Sequence, residues 1–471
     1  MRDYIGPDKN KFLIAGYYGP MRTTTREEFG HPAIPFDTVT EEIFQMIKEV
    51  GIDLITRVDV DCKYPEQRKT LVEILELAEK YDLGVFVEDS RIDQNCDEET
   101  FKQCIEDYIH YSSFKGGYGI DEPFTEHYGY QYWSKGRNRL EDYENKTSLF
   151  NKYNIYASSG PNAMSYQLWK GGQLPWDVVG ESYLPYTSYR EELKKVYTEY
   201  IEEYIATYGE RMLAFAYYVF DGVAIGGCLW NRMGYFDNLS VIRELALKYN
   251  VAFKPAIAAG SNWNDARIEM SPDVNPGKHP TQQELFWNVN TVIAYGARGI
   301  SYFPIIQPYY FAYTKGGKFD FNRNGLIGAD GSKTRWYEPA KIMNKWISTV
   351  GDMLVHATSK EIVVVGEVAQ HDTSITRTSY GPLQSVGAYI GAIIGVFEYE
   401  DKTLYYVVNY STDLKQTVVL HLEESYQYVA KVQTTDVNAI AREIEGTDDT
   451  IKLDIEAGGA ALVILERRTE K

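Results

Sequence analysis

The sequence predicts an α/β chain: a (β/α)8 barrel over residues 1–358, followed by an antiparallel β-sandwich over residues 359–471. Three observations predict it. Short β-rich runs alternate with amphipathic helical stretches from residue 12 to about 350, the pattern of a parallel sheet with crossover helices. With one strand-like excursion set aside, the strand-like runs number eight, the count that closes a barrel. After about Ser359 the helices stop. Strand-like runs then follow one another at roughly 8–12-residue spacing, as in a sandwich.

The barrel elements follow in order. Phe12 to Tyr18 is the first expected strand. Thr40 to Val50 has apolar residues at helical spacing and stops at Gly51, a residue that tolerates the left-handed helix end. Asp53 to Asp59 is the second strand, Glu66 to Tyr81 a helix and Gly84 to Asp89 the third strand. Glu98 to Tyr111 is a helix, Gly117 to Asp121 the fourth strand, Leu140 to Phe150 a helix and Asn154 to Ser158 the fifth strand. Trp176 to Tyr186 contains the strand-like run DVVGESYLPY, an excursion in the eight-strand count and a ninth strand otherwise. Glu191 to Tyr208 is a strongly amphipathic helix and Leu213 to Phe220 the sixth strand. Asn238 to Lys248 (helix), Ala252 to Ile257 (strand), Gln282 to Tyr295 (helix), Gly299 to Pro304 (strand) and Pro339 to Val350 (helix) complete the series. No Gly-rich phosphate loop follows an early strand, which argues against an open dinucleotide-binding sheet.

The sandwich strands are expected at Ile362 to Val368, Ala392 to Tyr399, Thr403 to Asn409, Thr417 to Leu422, Ala430 to Thr434, Thr450 to Ile455 and Ala460 to Leu465. Asp401-Lys402 and Ala457-Gly458-Gly459 mark turns. No Pro/Ser-rich linker separates the two parts, so they are expected to pack directly.

Composition narrows the function classes. The chain holds 48 basic and 67 acidic residues, a formal net charge of −19. That charge argues against nucleic acid and against anionic membrane surfaces. No apolar window reaches the roughly 18 residues a spanning helix needs. The opening residues, Met-Arg-Asp-Tyr-Ile-Gly-Pro-Asp, lack the apolar core of a leader. A cytoplasmic location is therefore expected of the chain as written, and secretion if a signal peptide has been removed. Cys62, Cys96, Cys104 and Cys228 are spread out without zinc spacing and read as inert thiols. No clustered His pattern appears, so neither a metal nor a cofactor is expected. No Gly-x-Ser-x-Gly elbow appears, which argues against an esterase. The 40 Tyr and 8 Trp offer flat apolar faces with polar tips, suited to stacking on sugar rings.

The sharpest motif is Lys115-Gly-Gly-Tyr-Gly-Ile-Asp121-Glu122-Pro123. In a barrel, catalytic residues sit where strands end at the C-terminal face. Pro123 ends the strand, because proline cannot donate to the ladder, and it holds Glu122 extended. Side chains alternate, so Asp121 and Glu122 point different ways. A half-desolvated carboxyl has the raised pKa that a general acid needs, and Glu122 is expected in that role.

This segment resembles the Asn/Asp-Glu-Pro acid/base strand of clan A-like glycoside hydrolases, including family-42-type β-galactosidase-like proteins. VYTEYIEEYI (Val196 to Ile205), YFDNLSVIRELALKYNVAF (Tyr235 to Phe253), TQQELFWNVNTVIAYGARGISYFP (Thr281 to Pro304) and LIGADGSKTRWYEPAKIMNKWISTVG resemble family segments in the same order. The C-terminal FEYEDKTLYYVVNYS and AGGAALVIL resemble the small sandwich of such enzymes. The likeness runs over most of residues 12–467. It implies hydrolysis of a glycosidic bond by paired carboxylates, on an oligosaccharide or glycoside.

The chain also departs from the family. Ala216 stands in the sixth strand where many relatives carry Asp, and the seventh runs into Ala258-Ala-Gly-Ser-Asn262-Trp263 without a carboxylate. The second catalytic group is therefore expected elsewhere. Glu181, a lone Glu in an apolar–aromatic run, is the first candidate and Asp221, just after the sixth strand, the second. Glu88 or Asp89 at the end of the third strand comes next. Tyr18, Asp59, Asp89, Asp121, Asn162, Tyr217, Trp263, Glu284 and Tyr302 are expected to bind substrate. Tyr17, Asp61, Tyr218, Asn262 and Phe303 stand beside them, and about half of the aromatics must face the barrel wall. Thr281-x-x-Glu284 also reads as a capping box, and the other carboxylates as partners of Arg57 or Arg91. The alternative function is a catalytically inactive barrel that binds carbohydrate. A lyase or isomerase would need a Lys base, and only Lys254 lies within a strand.

Overall fold

The computed structural model describes residues 4–22, 37–58, 60–121, 123, 125, 127–130, 143–159, 168–170, 190–208, 212–220, 224–225, 228–229, 232–260, 280–308, 324–436, 438 and 440–466. The first part holds eight parallel strands: β1 (Leu13–Gly16), β2 (Leu54–Ile55), β3 (Gly84–Val87), β4 (Phe114–Ile120), β5 (Ala157–Ser159), β6 (Met212–Ala216), β7 (Ala252–Ala258) and β8 (Gly299–Phe303). Each precedes a helix: α1 (Glu41–Glu49), α2 (Pro65–Lys80), α3 (Glu98–Glu106), α4 (Glu144–Lys152), α5 (Arg190–Tyr208), α6 (Arg232–Tyr249), α7 (Gln282–Ala294) and α8 (Tyr337–His356).

The strand order is β5-β4-β3-β2-β1-β8-β7-β6. The last strand is bonded to the first, with Leu13 opposite Gly299 and Gly16 opposite Tyr302. The two ends of the sheet, β5 and β6, are consecutive in the chain. This is the cyclic order of a (β/α)8 barrel. The DVVGESYLPY run lies outside the described residues.

Alternation sorts the side chains. Leu13, Ala15, Leu54, Phe86, Tyr118 and Tyr156 pack with one another inside the barrel. Ile14, Ile55, Val85 and Val87 join the larger core beneath the helices. Helix starts follow their caps: Thr40 accepts from the Ile43 N–H and Asp97 from the Thr100 N–H. Helix α6 starts at Arg232 rather than near Asn238, because Gly234, Tyr235, Phe236 and Asp237 are all buried and show no amphipathic period. Helix α8 runs on to His356, six residues past the expected Val350. Among the described residues no helix is long and apolar enough to cross a membrane.

After α8 the chain forms β9 (Thr358–Val365), a short helix α9 (Glu367–Asp372), then β10 (Leu383–Gly387), β11 (Ala392–Tyr399), β12 (Lys402–Asn409), β13 (Gln416–Gln433), β14 (Ala441–Ile455) and β15 (Ala460–Glu466). The antiparallel order is β9-β11-β12-β15-β13-β10, with β14 against β13. Two expected strands, Thr417 to Leu422 and Ala430 to Thr434, are the two halves of β13. The polar Glu423-Glu424 pair hides their continuity, and the register with β14 slips between His421 and Tyr426. Strand β10 escaped notice because most of it is not buried. Both halves of β13 contribute to one inner core, with Val418, Leu420, Ala430 and Val432 beside Val363, Ile394 and Val407. This is the sandwich.

The other face of its strands meets the barrel. Ile393, Phe397, Leu404, Tyr406 and Leu462 belong to the barrel's core, while their neighbours Ile394, Val396, Tyr405 and Val463 belong to the sandwich core. Helix α7 is buried from Glu284 to Ala294 because it packs between strand β7 and strands β11 and β12 of the second sheet. A buried network crosses this junction. Tyr406 O–H donates to Asn290 Oδ1 at 2.7 Å and accepts from Trp346 Nε1 at 2.8 Å. Asn290 Nδ2 donates to Gln433 Oε1 at 2.8 Å and to the Gly458 carbonyl at 2.9 Å.

Candidate active site

The C-terminal mouth of the barrel is built from residues just past the strand ends. Arg57 follows β2 and is its organising cation. Its Nε donates to Glu88 Oε2 at 2.9 Å and its Nη1 to Asp121 Oδ2 at 3.1 Å. Glu88 follows β3 and Asp121 follows β4, so one guanidinium ties three adjacent strands. The same guanidinium lies 5.5 Å from the Tyr18 ring centre and 5.7 Å from that of Tyr118. Burial alone would lower the Arg57 pKa, but Glu88, Tyr118 and Asp121 more than offset it and raise it.

Tyr118 O–H donates to Asp121 Oδ1 at 2.8 Å, and the Tyr17 hydroxyl lies 3.3 Å from it. Burial, then the Asp121 charge, push the Tyr118 pKa well up, which keeps the proton on the donor. Five aromatic rings close the floor. Tyr17 meets Tyr118 edge-on at 6.0 Å, and Phe303 lies 5.5 Å from Tyr18 and 5.8 Å from Tyr218.

The strand that leads to Glu122 has an irregular end. Its register with β5 slips between Tyr118 and Ile120, so Gly119 is an extra residue. Buried Lys146 on α4 donates to the Gly119 carbonyl at 3.1 Å. Bulges of this kind re-aim the side chains that follow. Pro123 is buried, and Tyr200 O–H on α5 donates to its carbonyl at 2.5 Å.

Several expected residues lie elsewhere. Tyr302 is fully buried, and its hydroxyl bonds Asn344 Oδ1 on α8 at 2.8 Å. Tyr217 is buried towards α6, with its ring 5.8 Å from Tyr235. Both face the helix layer because their parity is opposite to that of Phe303 and Tyr218. Asp89 is 2 % exposed, and Arg91 donates to both its oxygens, at 3.0 and 2.7 Å. Glu284 is the acid of a capping box, accepting from the Thr281 N–H at 2.8 Å. Asp61 accepts from Ser90 O–H at 2.5 Å. Glu122, Glu181, Asp221, Asp59, Asn162, Asn262 and Trp263 lie outside the described residues. Tyr118 carried no sequence signal of its own beyond its place in the strand.

The strand ends where a second carboxylate was missed carry buried Ala216 and Ala258. Lys254 is buried in the N-terminal half of β7, opposite Ala214 and away from the mouth. Among the described residues no cluster of His, Cys, Asp and Glu is arranged to hold a metal ion. Cys62, Cys96 and Cys104 are free and buried. Burial, then Asp89, push the Cys62 thiol up to about 12 and Cys104 to about 11, so both stay protonated.

No family model matches the chain, and no curated protein matches it in sequence. Solved structures align along most of its length. A glycoside hydrolase family 5 protein from Bacteroides vulgatus aligns over 97 % of this chain and 90 % of its own, at 12 % identity and a TM-score of 0.52. A family 42 β-galactosidase from G. stearothermophilus aligns over 99 % of this chain and 100 % of its own, at 10 % identity and a TM-score of 0.47. At 12 % identity the likeness to the family 5 protein is one of fold.

Proposed function

We propose that this chain is a glycoside hydrolase that cleaves an O-glycosidic bond in an oligosaccharide or glycoside, with Glu122 as general acid. The observation that carries the reading is the anchoring of the chain on both sides of Glu122. Asp121 is held by Arg57 and Tyr118, and the Pro123 carbonyl by Tyr200. These anchors stand at a strand end on the C-terminal face, where barrel enzymes carry their chemistry. The barrel fold shared with the family 5 glycoside hydrolase agrees with this reading.

Glu122 protonates the leaving oxygen. A second carboxylate attacks the anomeric carbon or activates water, with retention at a separation of about 5.5 Å and inversion at about 6.5–9.5 Å. Glu181 is the proposed second group, then Asp221, then Glu88. Glu88 stands at the same mouth, on Arg57, whereas Asp89 leaves the series because Arg91 takes both its oxygens. Tyr18 and Asp121 line the proposed sugar site, joined by Asp59, Asn162 and Trp263. The proposed boundary between barrel and sandwich falls at residues 358/359, after the first residue of β9.

The test is turnover on a panel of aryl glycosides. Glu122→Gln should lose about 10²–10⁴ in rate on substrates with poor leaving groups. Wild-type turnover in that variant refutes the assignment. Binding of sugars without turnover by the wild type makes the chain an inactive carbohydrate-binding barrel instead.

A further inference from the structure

The N-terminal face of the barrel, opposite the mouth, holds a site that hydrolysis does not use. The segment from Tyr4 to Lys11 crosses this face. It is held by a parallel bridge between Ile5 and Ile155, with Ile5 N–H to Asn154 O at 3.0 Å and Tyr156 N–H to Ile5 O at 2.8 Å. Between this segment and the starts of β6, β7 and β8 lies a cavity of about 400 Å³. That volume suits a small molecule.

The cavity wall has two characters. Tyr4, Tyr156 and Met212 give it an apolar, aromatic side, and Lys9 and Arg298 give it positive charge. The Lys9 ammonium lies 4.8 Å from the Tyr4 ring centre. Arg298 precedes β8, and its backbone is fixed on both sides: its N–H donates to Phe253 O at 3.1 Å and its carbonyl accepts from the Leu13 N–H at 3.1 Å.

The chain carries 67 acidic residues, and Arg22, Arg57, Arg91 and Arg190 are all ion-paired. Among the described residues no carboxylate pairs with Arg298. Partial enclosure lowers its pKa. Two other charges at the cavity have partners of their own. Lys11 is bonded to Asp53 at 2.6 Å, and Asp8 accepts from the Asn10 N–H at 2.9 Å. The Arg298 side chain is exposed, so its guanidinium is open to an oxyanion. Its planar fork matches carboxylate and phosphate oxygens.

We propose that this cavity binds a small molecule bearing an oxyanion, phosphate or carboxylate, on a compact ring. The oxyanion meets Arg298 and Lys9, and the ring lies on Tyr4 and Tyr156. The proposal stands apart from the hydrolase reading. Calorimetry on the full chain tests it, with glucose 6-phosphate, glucuronate, inorganic phosphate and glucose as probes at low salt. The ring-bearing anions should bind, inorganic phosphate more weakly, and glucose not at the same site. The order of glucose 6-phosphate and glucuronate tells which oxyanion the site prefers. Arg298→Ala should weaken anion binding by about tenfold or more, the worth of a charge-assisted hydrogen bond. Arg298→Lys should fall between, since it keeps the charge without the fork, and shows the loss is not one of folding. Anion binding unchanged in Arg298→Ala, or no anion binding at millimolar concentration, overturns the proposal.

Discussion

Replacing Tyr406 by Phe removes one oxygen from the junction between barrel and sandwich and leaves the ring in place. That oxygen has two partners. The Asn290 Oδ1 loses its donor and the Trp346 Nε1–H its acceptor, and both residues are fully buried. A buried polar group left without a partner costs about 1–3 kcal/mol, so two should cost roughly 2–6 kcal/mol. Because the ring is kept, little of this is a cavity effect. The neighbouring Tyr405 supplies the comparison. It faces the sandwich core, and its buried hydroxyl lies near the Leu383 backbone without forming a hydrogen bond. Tyr405→Phe should therefore cost less than about 1 kcal/mol. The assay is urea unfolding followed by tryptophan fluorescence and far-ultraviolet circular dichroism, comparing midpoints at a common slope. Equal effects of the two substitutions, or a Tyr406→Phe loss below about 1 kcal/mol, would refute the claim that this network joins the two parts.

Other perturbations follow from the same structure. Arg57→Ala leaves Glu88 and Asp121 without their shared cation. Loss of a nearby positive charge disfavours ionised carboxylates, so the acid limb of the pH–rate profile should move to higher pH, with Arg57→Lys restoring part of the shift; an unmoved limb shows that Arg57 does not act on the acidic groups. Glu284→Ala breaks the α7 capping box and should cost about 1–2 kcal/mol, measured by thermal unfolding, while Glu284→Gln should leave KM unchanged. A large KM change in the Gln variant would make Glu284 a substrate ligand after all. Glu98 is held down to about 2, first by its hydrogen bond to Lys152, then by those to Tyr153 and Lys102. Its folded pKa lies below its unfolded value of about 4.3, so the stability it adds is present above that pH and lost as pH falls towards about 2. Glu98→Gln should remove that part of the acid dependence, read as Tm against pH; an unchanged curve would show that the exposed network adds nothing.

Much of the barrel was legible because its signals are local. Short β-rich runs marked the strands, and period-3.6 stretches marked most helices. The signals failed where burial is complete. The start of α6 carries no amphipathic contrast, because Gly234 to Asp237 is buried throughout. In the sandwich, Glu423 and Glu424 lie inside a continuous β13 and read as a break. At the mouth, the Asp-Glu-Pro motif marked its own strand, yet the Arg57 bonds to Glu88 and Asp121 span 31 and 64 residues of chain.

The sequence by itself determined the alternation of strands and helices, the change from barrel to sandwich texture and the residues that stand at strand ends. These follow from periodicity and turn chemistry, which act over a few residues. Only the tertiary structure decided which strand-end residues face the mouth. Tyr218 and Phe303 reach it, while Tyr217 and Tyr302 are buried among helices. Asp89 is consumed by Arg91, whereas Asp121 remains half exposed beside Arg57. The physical reason is that a strand's parity selects one of two faces, but closure of the sheet and a one-residue slip at Gly119 decide which face is the mouth.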